Sequence, residues 1–188
     1  MSGGARYFTT VTLESPIGPL TVVLDDEGNL TRLSFGGAAA ASFIVERRPS
    51  GRRGLRKTGG LKAAAPPFER SGRRSTEQGV AEQLREYFAG KRQTFDIPLA
   101  LRGTEFQLAV WNELLRVPYG DTITYAELAQ RIGRPSAIRA VGAANGANPI
   151  PVIVPCHRVI GSNGTLTGYG GGIERKQWLL AHEGRRLF

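Results

Sequence analysis

The sequence predicts an α+β N-terminal domain, a small antiparallel sheet plus one helix, followed by a mostly α, helix-turn-helix-type domain that carries the chemistry. Three observations point there. Short β-rich runs divided by Pro/Gly turns open the chain, the pattern turns helical with two capping boxes after Gly103, and the only cysteine stands directly before a histidine.

Tyr7 to Glu14, Leu20 to Asp25 and Leu30 to Phe35 read as strands of a meander, separated by Pro16-Ile17-Gly18-Pro19 and by Asp25-Asp26-Glu27-Gly28-Asn29. A helix is expected from about Thr76 to Ala89, with Ser75 as N-cap, Gln78 in the capping-box position and Gly90 as its stop. Phe95 to Leu101 is expected to return as a further strand. These elements make a first domain over residues 1–98, with no evident chemistry of its own.

The second domain spans 99–188. Thr104-Glu105-Phe106-Gln107 opens a helix through Leu115, and Thr124-Tyr125-Ala126-Glu127 opens a short one ending at Ile132-Gly133. After Gly133-Arg134-Pro135 a third helix, capped by Ser136, is expected to run to about Asn145. The last two, joined by a Gly-containing turn, resemble a helix-turn-helix. At about 100° per residue Arg139 lies about 160° from Val141, so with Val141 inward Arg139 stands out from a surface of small residues. Trp111, Phe106 and Trp178 read as core. Pro149 to Cys156 is an apolar run that reads as a buried strand leading into Pro155-Cys156-His157-Arg158-Val159-Ile160.

Composition narrows the chemistry. A chain of 188 residues at 40% hydrophobic content can bury one good core or two small ones. One cysteine excludes an intramolecular disulfide, and with two histidines it excludes a four-ligand Cys/His zinc site. The start lacks the apolar core of a signal peptide and carries Ser2 where myristoylation needs Gly, and the longest apolar run is too short to cross a bilayer. The expectation is a soluble protein in a reducing compartment, cytoplasmic, or nuclear in a eukaryote, with no cofactor and no metal.

Net charge is +9, but residues 46–75 hold ten Arg or Lys against two Glu and so account for +8 of it. Rich in Gly, Pro and Ala, this segment reads as a flexible insertion. It is either a solvated loop or a tether that raises nonspecific affinity for nucleic acid through counterion release.

A lone thiol on a rigid element beside an imidazole points to a reactive nucleophile, given a base and a pocket. The motifs Arg139-Ala140-Val141-Gly142-Ala143-Ala144, Asn148-Pro149-Ile150-Pro151, Pro155-Cys156-His157-Arg158-Val159-Ile160, Gly168-Tyr169-Gly170-Gly171-Gly172 and Lys176-Gln177-Trp178-Leu179-Leu180-Ala181-His182-Glu183-Gly184 occur in an order and spacing that resemble the O6-alkylguanine-DNA alkyltransferase (methylated-DNA–protein-cysteine methyltransferase) family. The resemblance is dense from about Gly103 to Gly184 and holds only in outline before that.

The resemblance implies DNA repair by direct, single-turnover transfer of an alkyl group from guanine O6, and thymine O4, to Cys156. The partner implied is double-stranded DNA containing alkylated guanine, bound by a monomer. Cys156 attacks, His157 is the base through a bridging water, Glu183 accepts from the imidazole, and Tyr125 donates to N3 of the base. Asn148 holds the turn before the cysteine in an Asx-type role. The carbonyls of Cys156 and Val159 accept from the exocyclic amine, the Gly170 amide reaches O6, and Tyr169 and Pro151 line the pocket. Arg139 fills the stack vacated by the flipped nucleotide, and Ala140 and Gly142 let the helix approach a minor groove. Arg134 and Arg158 are each either phosphate contacts or salt-bridge partners. Gly170 departs from the Ser of many relatives, and the basic insertion has no counterpart in the family pattern. The rival readings are a catalytically silent lesion binder, a helix-turn-helix regulator and a cysteine hydrolase.

Overall fold

The computed structural model describes residues 8–36 and 77–185. The expected Tyr7 strand start, the Ser75 cap and the basic segment 46–75 lie outside the described residues. β1 (Phe8–Leu13), β2 (Leu20–Asp25) and β3 (Leu30–Phe35) form an antiparallel sheet in the order β1-β2-β3, with Leu13 opposite Leu20 and Leu20 opposite Phe35. The Asp25 carboxylate accepts from the Asn29 amide at 2.8 Å and fixes the second turn as an Asx-type loop. In α1 (Glu77–Phe88) the buried residues Val80, Leu84 and Tyr87 fall at i, i+4 and i+7, the stripe of a helix packed on one face.

The segment 95–101 is not a strand. It makes one parallel bridge, Leu30 with Leu99, through Leu30 N to Pro98 O at 2.8 Å and Ala100 N to Leu30 O at 2.9 Å. Pro98 lacks the N–H that a longer ladder needs.

In the helical part, α2 (Glu105–Leu114) and α3 (Tyr125–Arg131) both begin with complete capping boxes, Thr104 with Gln107 and Thr124 with Glu127. α4 (Ile138–Gly146) differs from expectation at its start: its N-cap is Ala137, with no side-chain cap. The Ala137 amide donates to Arg134 O at 2.9 Å, closing a turn that leaves Ser136 one residue too early to cap.

The largest correction concerns the run before the cysteine. Residues 150–155 form consecutive buried turns, Val154 N donating to Ile150 O at 2.9 Å, and Cys156–Arg158 is a single 3-10 turn. Pro149, Pro151 and Pro155 cannot donate to a ladder, and burial alone makes an apolar turn and an apolar strand look alike. Only β5 (Val159–Ile160) is extended, pairing in parallel with β4 (Ile123–Thr124), and α5 (Ile173–His182) closes the described chain. No helix among the described residues is long and apolar enough to cross a membrane.

One contiguous core joins both parts, running from Leu20, Leu33 and Leu84 to Trp111, Val141, Val154 and Leu179. Trp111 is buried, and Phe106 and Trp178 pack half-buried against the same cluster. The Trp111 indole Nε1 donates to Ala144 O at 2.9 Å, locking α2 to α4. Trp111→Phe should therefore lower stability by about 1–3 kcal/mol in urea titration, because the Ala144 carbonyl loses its buried donor. Amide exchange in α4 should rise more than in the sheet.

Candidate active site

The parallel pairing of Ile123 with Val159 and Thr124 with Ile160 sets the N-terminus of α3 beside the cysteine turn. The approach to that turn is strained: Val152 is the only described non-glycine residue at positive φ, +74°, costly for a β-branched side chain. Asn148 spans the strain, its Oδ1 accepting from Ile150 N at 3.0 Å and its Nδ2 donating to Val154 O at 2.7 Å. Cys156 follows at 4% exposure, with its carbonyl accepting from Val159 N and from Asn145 Nδ2 at 3.3 Å.

The 3-10 turn directs His157 and Arg158 onto one carboxylate. Glu183, the C-cap of α5, is 4% exposed, and its Oε1 lies 3.0 Å from His157 Nε2. Arg158 donates from Nε to Oε2 and from Nη2 to Oε1, each at 2.8 Å, and from Nη1 to Val117 O at 2.6 Å. Arg158 is thus a buried salt-bridge partner. Tyr87 Oη donates to Oε1 at 2.7 Å and Gly120 N to Oε2 at 3.4 Å. Gly120 has φ +80°, and a Cβ there would lie 2.9 Å from the Glu183 carbonyl, so no larger residue fits.

These contacts assign protonation states. Burial pushes the Glu183 carboxyl up, but the hydrogen bonds from His157 and Arg158 outweigh it and hold it well below the ordinary carboxylate range. Burial drives the His157 imidazole below its usual 6.5. With Nε2 facing a carboxylate, the proton of the neutral ring belongs on Nε2, and Nδ1, buried without a hydrogen-bond partner, carries the free lone pair. Burial pushes the Cys156 thiol up to about 11, against smaller opposing effects of the Asn148 side chain and the Lys176 charge. The resting pair is therefore thiol and imidazole, both neutral. Burial takes Lys176 down to about 8, and its Nζ donates to Val159 O at 2.6 Å and Thr167 O at 2.9 Å.

The remaining sequence-derived candidates fall around this centre. Tyr125, the first residue of α3, is half-buried, and a Cβ on Gly142 would sit 3.8 Å from its ring. Arg139 and Ala140 are exposed on α4 while Val141 is buried, and Arg134 is exposed in the turn before it. Pro151 and Val159 are buried in the wall of the turn. The Tyr169 hydroxyl is buried without a hydrogen-bond partner, and burial and the nearby Cys156 raise its pKa well above 10. Gly170 is exposed, and a Cβ there would meet Gly146 O at 3.5 Å, an ordinary contact.

Sequence reasoning missed Tyr87, Asn145 and Lys176. Lys176 lay inside a quoted motif without a role. Tyr87 is 96 positions from Glu183 along the chain and carried no signal beyond its place on the buried stripe of α1. Among the described residues no group of three or more His, Cys, Asp or Glu is arranged to hold a metal ion.

Residues 7–101 match the family model described as 6-O-methylguanine DNA methyltransferase, ribonuclease-like domain, and residues 105–185 that described as its DNA binding domain. A methylated-DNA–protein-cysteine methyltransferase of Shigella flexneri is 43% identical over 176 residues, covering 93% of this chain and 95% of its own. One from Methanosarcina acetivorans is 44% identical over 171 residues, covering 91% and 95%. The crystal structure of Mycobacterium tuberculosis O6-methylguanine methyltransferase superposes with a TM-score of 0.70 at 42% identity, over 96% of this chain and 95% of that one. A Mycobacterium tuberculosis structure in complex with DNA superposes at 0.69 and 44% identity, over 93% and 92%.

Glu183→Gln should cost about 3–5 kcal/mol in chemical denaturation, because Arg158 stays charged and buried without its counterion. Since the folded carboxyl titrates below the unfolded one, the stabilisation is complete above the ordinary carboxylate range and lost as pH falls through and below it. The variant should therefore show a flatter acid limb in stability against pH.

Proposed function

Because the chain belongs to the 6-O-methylguanine DNA methyltransferase family, we propose that it repairs DNA by moving the alkyl group of O6-alkylguanine, and of O4-alkylthymine, onto Cys156, once per molecule. The observation that carries this reading is the commitment of His157 Nε2 to Glu183, which leaves Nδ1, buried without a hydrogen-bond partner, as the basic nitrogen of the residue that directly follows the buried Cys156.

In the proposed reaction the Cys156 proton passes to His157 Nδ1 through a bridging water, and Glu183 stabilises the imidazolium that forms. The thiolate attacks the alkyl carbon in line. A sulfur–carbon bond forms as the carbon–O6 bond breaks, and the electron pair leaves on the guanine. Tyr125 donates a hydrogen bond to N3 and the Gly170 amide one to O6, lowering the charge on the leaving base. The proton taken by His157 then passes by way of water to the guanine anion, so that the base leaves neutral and the imidazole returns to its neutral form. The thioether is inert to water, so no step restores the thiol.

Recognition rests on the carbonyls of Cys156 and Val159 as acceptors for the exocyclic amine. Val159 O already accepts from Lys176 Nζ and would offer the amine its remaining lone-pair direction, whereas Cys156 O already takes both Val159 N and Asn145 Nδ2, so the amine would replace the long 3.3 Å contact from Asn145. Tyr169 and Pro151 line the pocket, Asn148 keeps the cysteine turn in shape, and Arg139 fills the stack with Ala140 and Gly142 against the minor groove. Gly146 O leaves room for a serine at 170, so the departure from many relatives removes a hydroxyl without closing space. The protein acts as a monomer on double-stranded DNA, in a reducing compartment such as the cytoplasm, where its single thiol stays unoxidised.

Incubation with an oligonucleotide containing O6-methylguanine should make the intact chain heavier by one methyl group, with a stoichiometry that stops at one. Cys156→Ser should lose transfer entirely and keep lesion binding within a few-fold, since an alcohol there cannot ionise usefully. Transfer by the serine variant above trace level would exclude the mechanism.

Arg139→Ala separates base extrusion from chemistry. Transfer from duplex DNA should slow by about 10- to 100-fold, within the few kcal/mol that unstacking a base costs. Reaction with free O6-benzylguanine, which needs no extrusion, should keep its rate. Equal slowing of both substrates would remove α4 as the reading helix.

A further inference from the structure

One donor on the Glu183 carboxylate comes from the other family domain. Tyr87 belongs to α1, inside residues 7–101, yet its hydroxyl donates at 2.7 Å to the same Oε1 that lies 3.0 Å from His157 Nε2. The phenol has no freedom to serve another partner. Tyr87 is 0% exposed, its ring meets those of Phe88, Phe95, Tyr119 and His182, and its carbonyl is 2.6 Å from His182 Nε2.

We infer that Tyr87 is a positioning residue for alkyl transfer, its hydroxyl sharing Glu183 Oε1 with His157 and thereby setting how firmly and how basically the imidazole is held. This rests on the reading of His157 as proton acceptor. Oε1 accepts from three donors, His157 Nε2, Arg158 Nη2 and Tyr87 Oη, and each draws electron density from the other two. Burial and Glu183 push the Tyr87 hydroxyl far above 10, so it stays a neutral donor throughout the working range. The charged or titratable groups acting on His157 are Glu183 from the end of α5, Arg158 from the 3-10 turn and Lys176 from α5. Glu183 favours the imidazolium, and Arg158 and Lys176 oppose it. Tyr87 opposes it indirectly, by weakening the one favourable partner. The N-terminal domain thus reaches the proton acceptor through a single oxygen atom.

The test is Tyr87→Phe, which removes one oxygen and keeps the ring. With only two histidines in the chain, ¹⁵N imidazole NMR resolves His157 from His182. The His157 titration should move to higher pH by about half to one unit, the size one hydrogen bond supplies. The acid limb of the rate of reaction with free O6-benzylguanine should move with it, while the plateau rate stays within about threefold. A loss of thermal stability with both titrations unmoved would overturn the inference and leave Tyr87 as packing.

Should the variant fail to fold, the wild-type chain still decides. The buried Tyr87 hydroxyl proton should give a downfield resonance that shifts as His157 is protonated. A resonance indifferent to that titration would overturn the inference too. If the wild-type chain transfers no alkyl group, the proposed function fails while the NMR shift still reports on Tyr87. If transfer occurs and neither profile moves, the Tyr87 inference fails alone.

Discussion

A single carboxylate buried at the meeting point of four chain segments organises the molecule. Glu183 at the end of α5 gathers Arg158 and His157 from the cysteine turn, Gly120 from the loop after α2, and Tyr87 from α1. Taking a carboxylate and a guanidinium out of water is expensive, and two Arg158 donors, a phenol and an amide are what make the site tolerable. Pairing Arg158 with Glu183 also cancels the charge locally. Burial is what leaves His157 neutral, and Arg158 adds to it by opposing the pull of the Glu183 carboxylate toward the imidazolium.

That neutrality determines how the nucleophile works. Reactive cysteines commonly rest as thiolates beside a cation, whereas Cys156 rests as a thiol pushed up to about 11 by burial. In the proposed reaction its ionisation is coupled to the arrival of an electrophile, because only then does the developing negative charge leave sulfur for the departing base. A sulfur held this way is shielded from oxidants while it waits. Lys176, the cation acting on the thiol, has itself been taken down to about 8. Its ammonium ties Val159 to Thr167 and so holds the far rim of the site to the cysteine turn.

What was legible in the sequence divides by range. Capping boxes at Thr104 and Thr124 each need four consecutive residues, and both stand as read. The order cysteine, histidine, then a distant glutamate could be written down because the motif residues carry the resemblance themselves. Arg158 stayed ambiguous because its partner lies 25 residues away, and nothing local separates a buried pair from a phosphate contact. Tyr87 was invisible for the same reason. The apolar run before Cys156 was misread because strand and buried turn share composition, although Pro149, Pro151 and Pro155 already argued against a ladder. Phe95 to Leu101 failed in the same way at Pro98, and Ser136 offered a capping side chain at a position the preceding turn had already used.

The misread run also explains why a domain without chemistry of its own is built into the molecule. A valine at φ +74° costs free energy, and such a conformation persists only where its surroundings over-determine it. Part of that constraint is local, in the two Asn148 hydrogen bonds on either side of Val152. The rest comes from the N-terminal sheet, where the Leu33 amide of β3 donates to Pro149 O at 3.0 Å and anchors the entrance to the turn. At the other rim Arg175 of α5 donates to Ile17 O at 2.8 Å and to Gly171 O at 2.7 Å, with its guanidinium over the Phe35 ring. The sheet therefore grips both the strained approach to Cys156 and the glycine loop facing it. A helix-turn-helix alone could present Arg139 to DNA, but it has no element that would hold a strained valine turn and a buried carboxylate in register. The sheet and α1 supply that hold, which is why the core runs unbroken from Leu20 to Leu179.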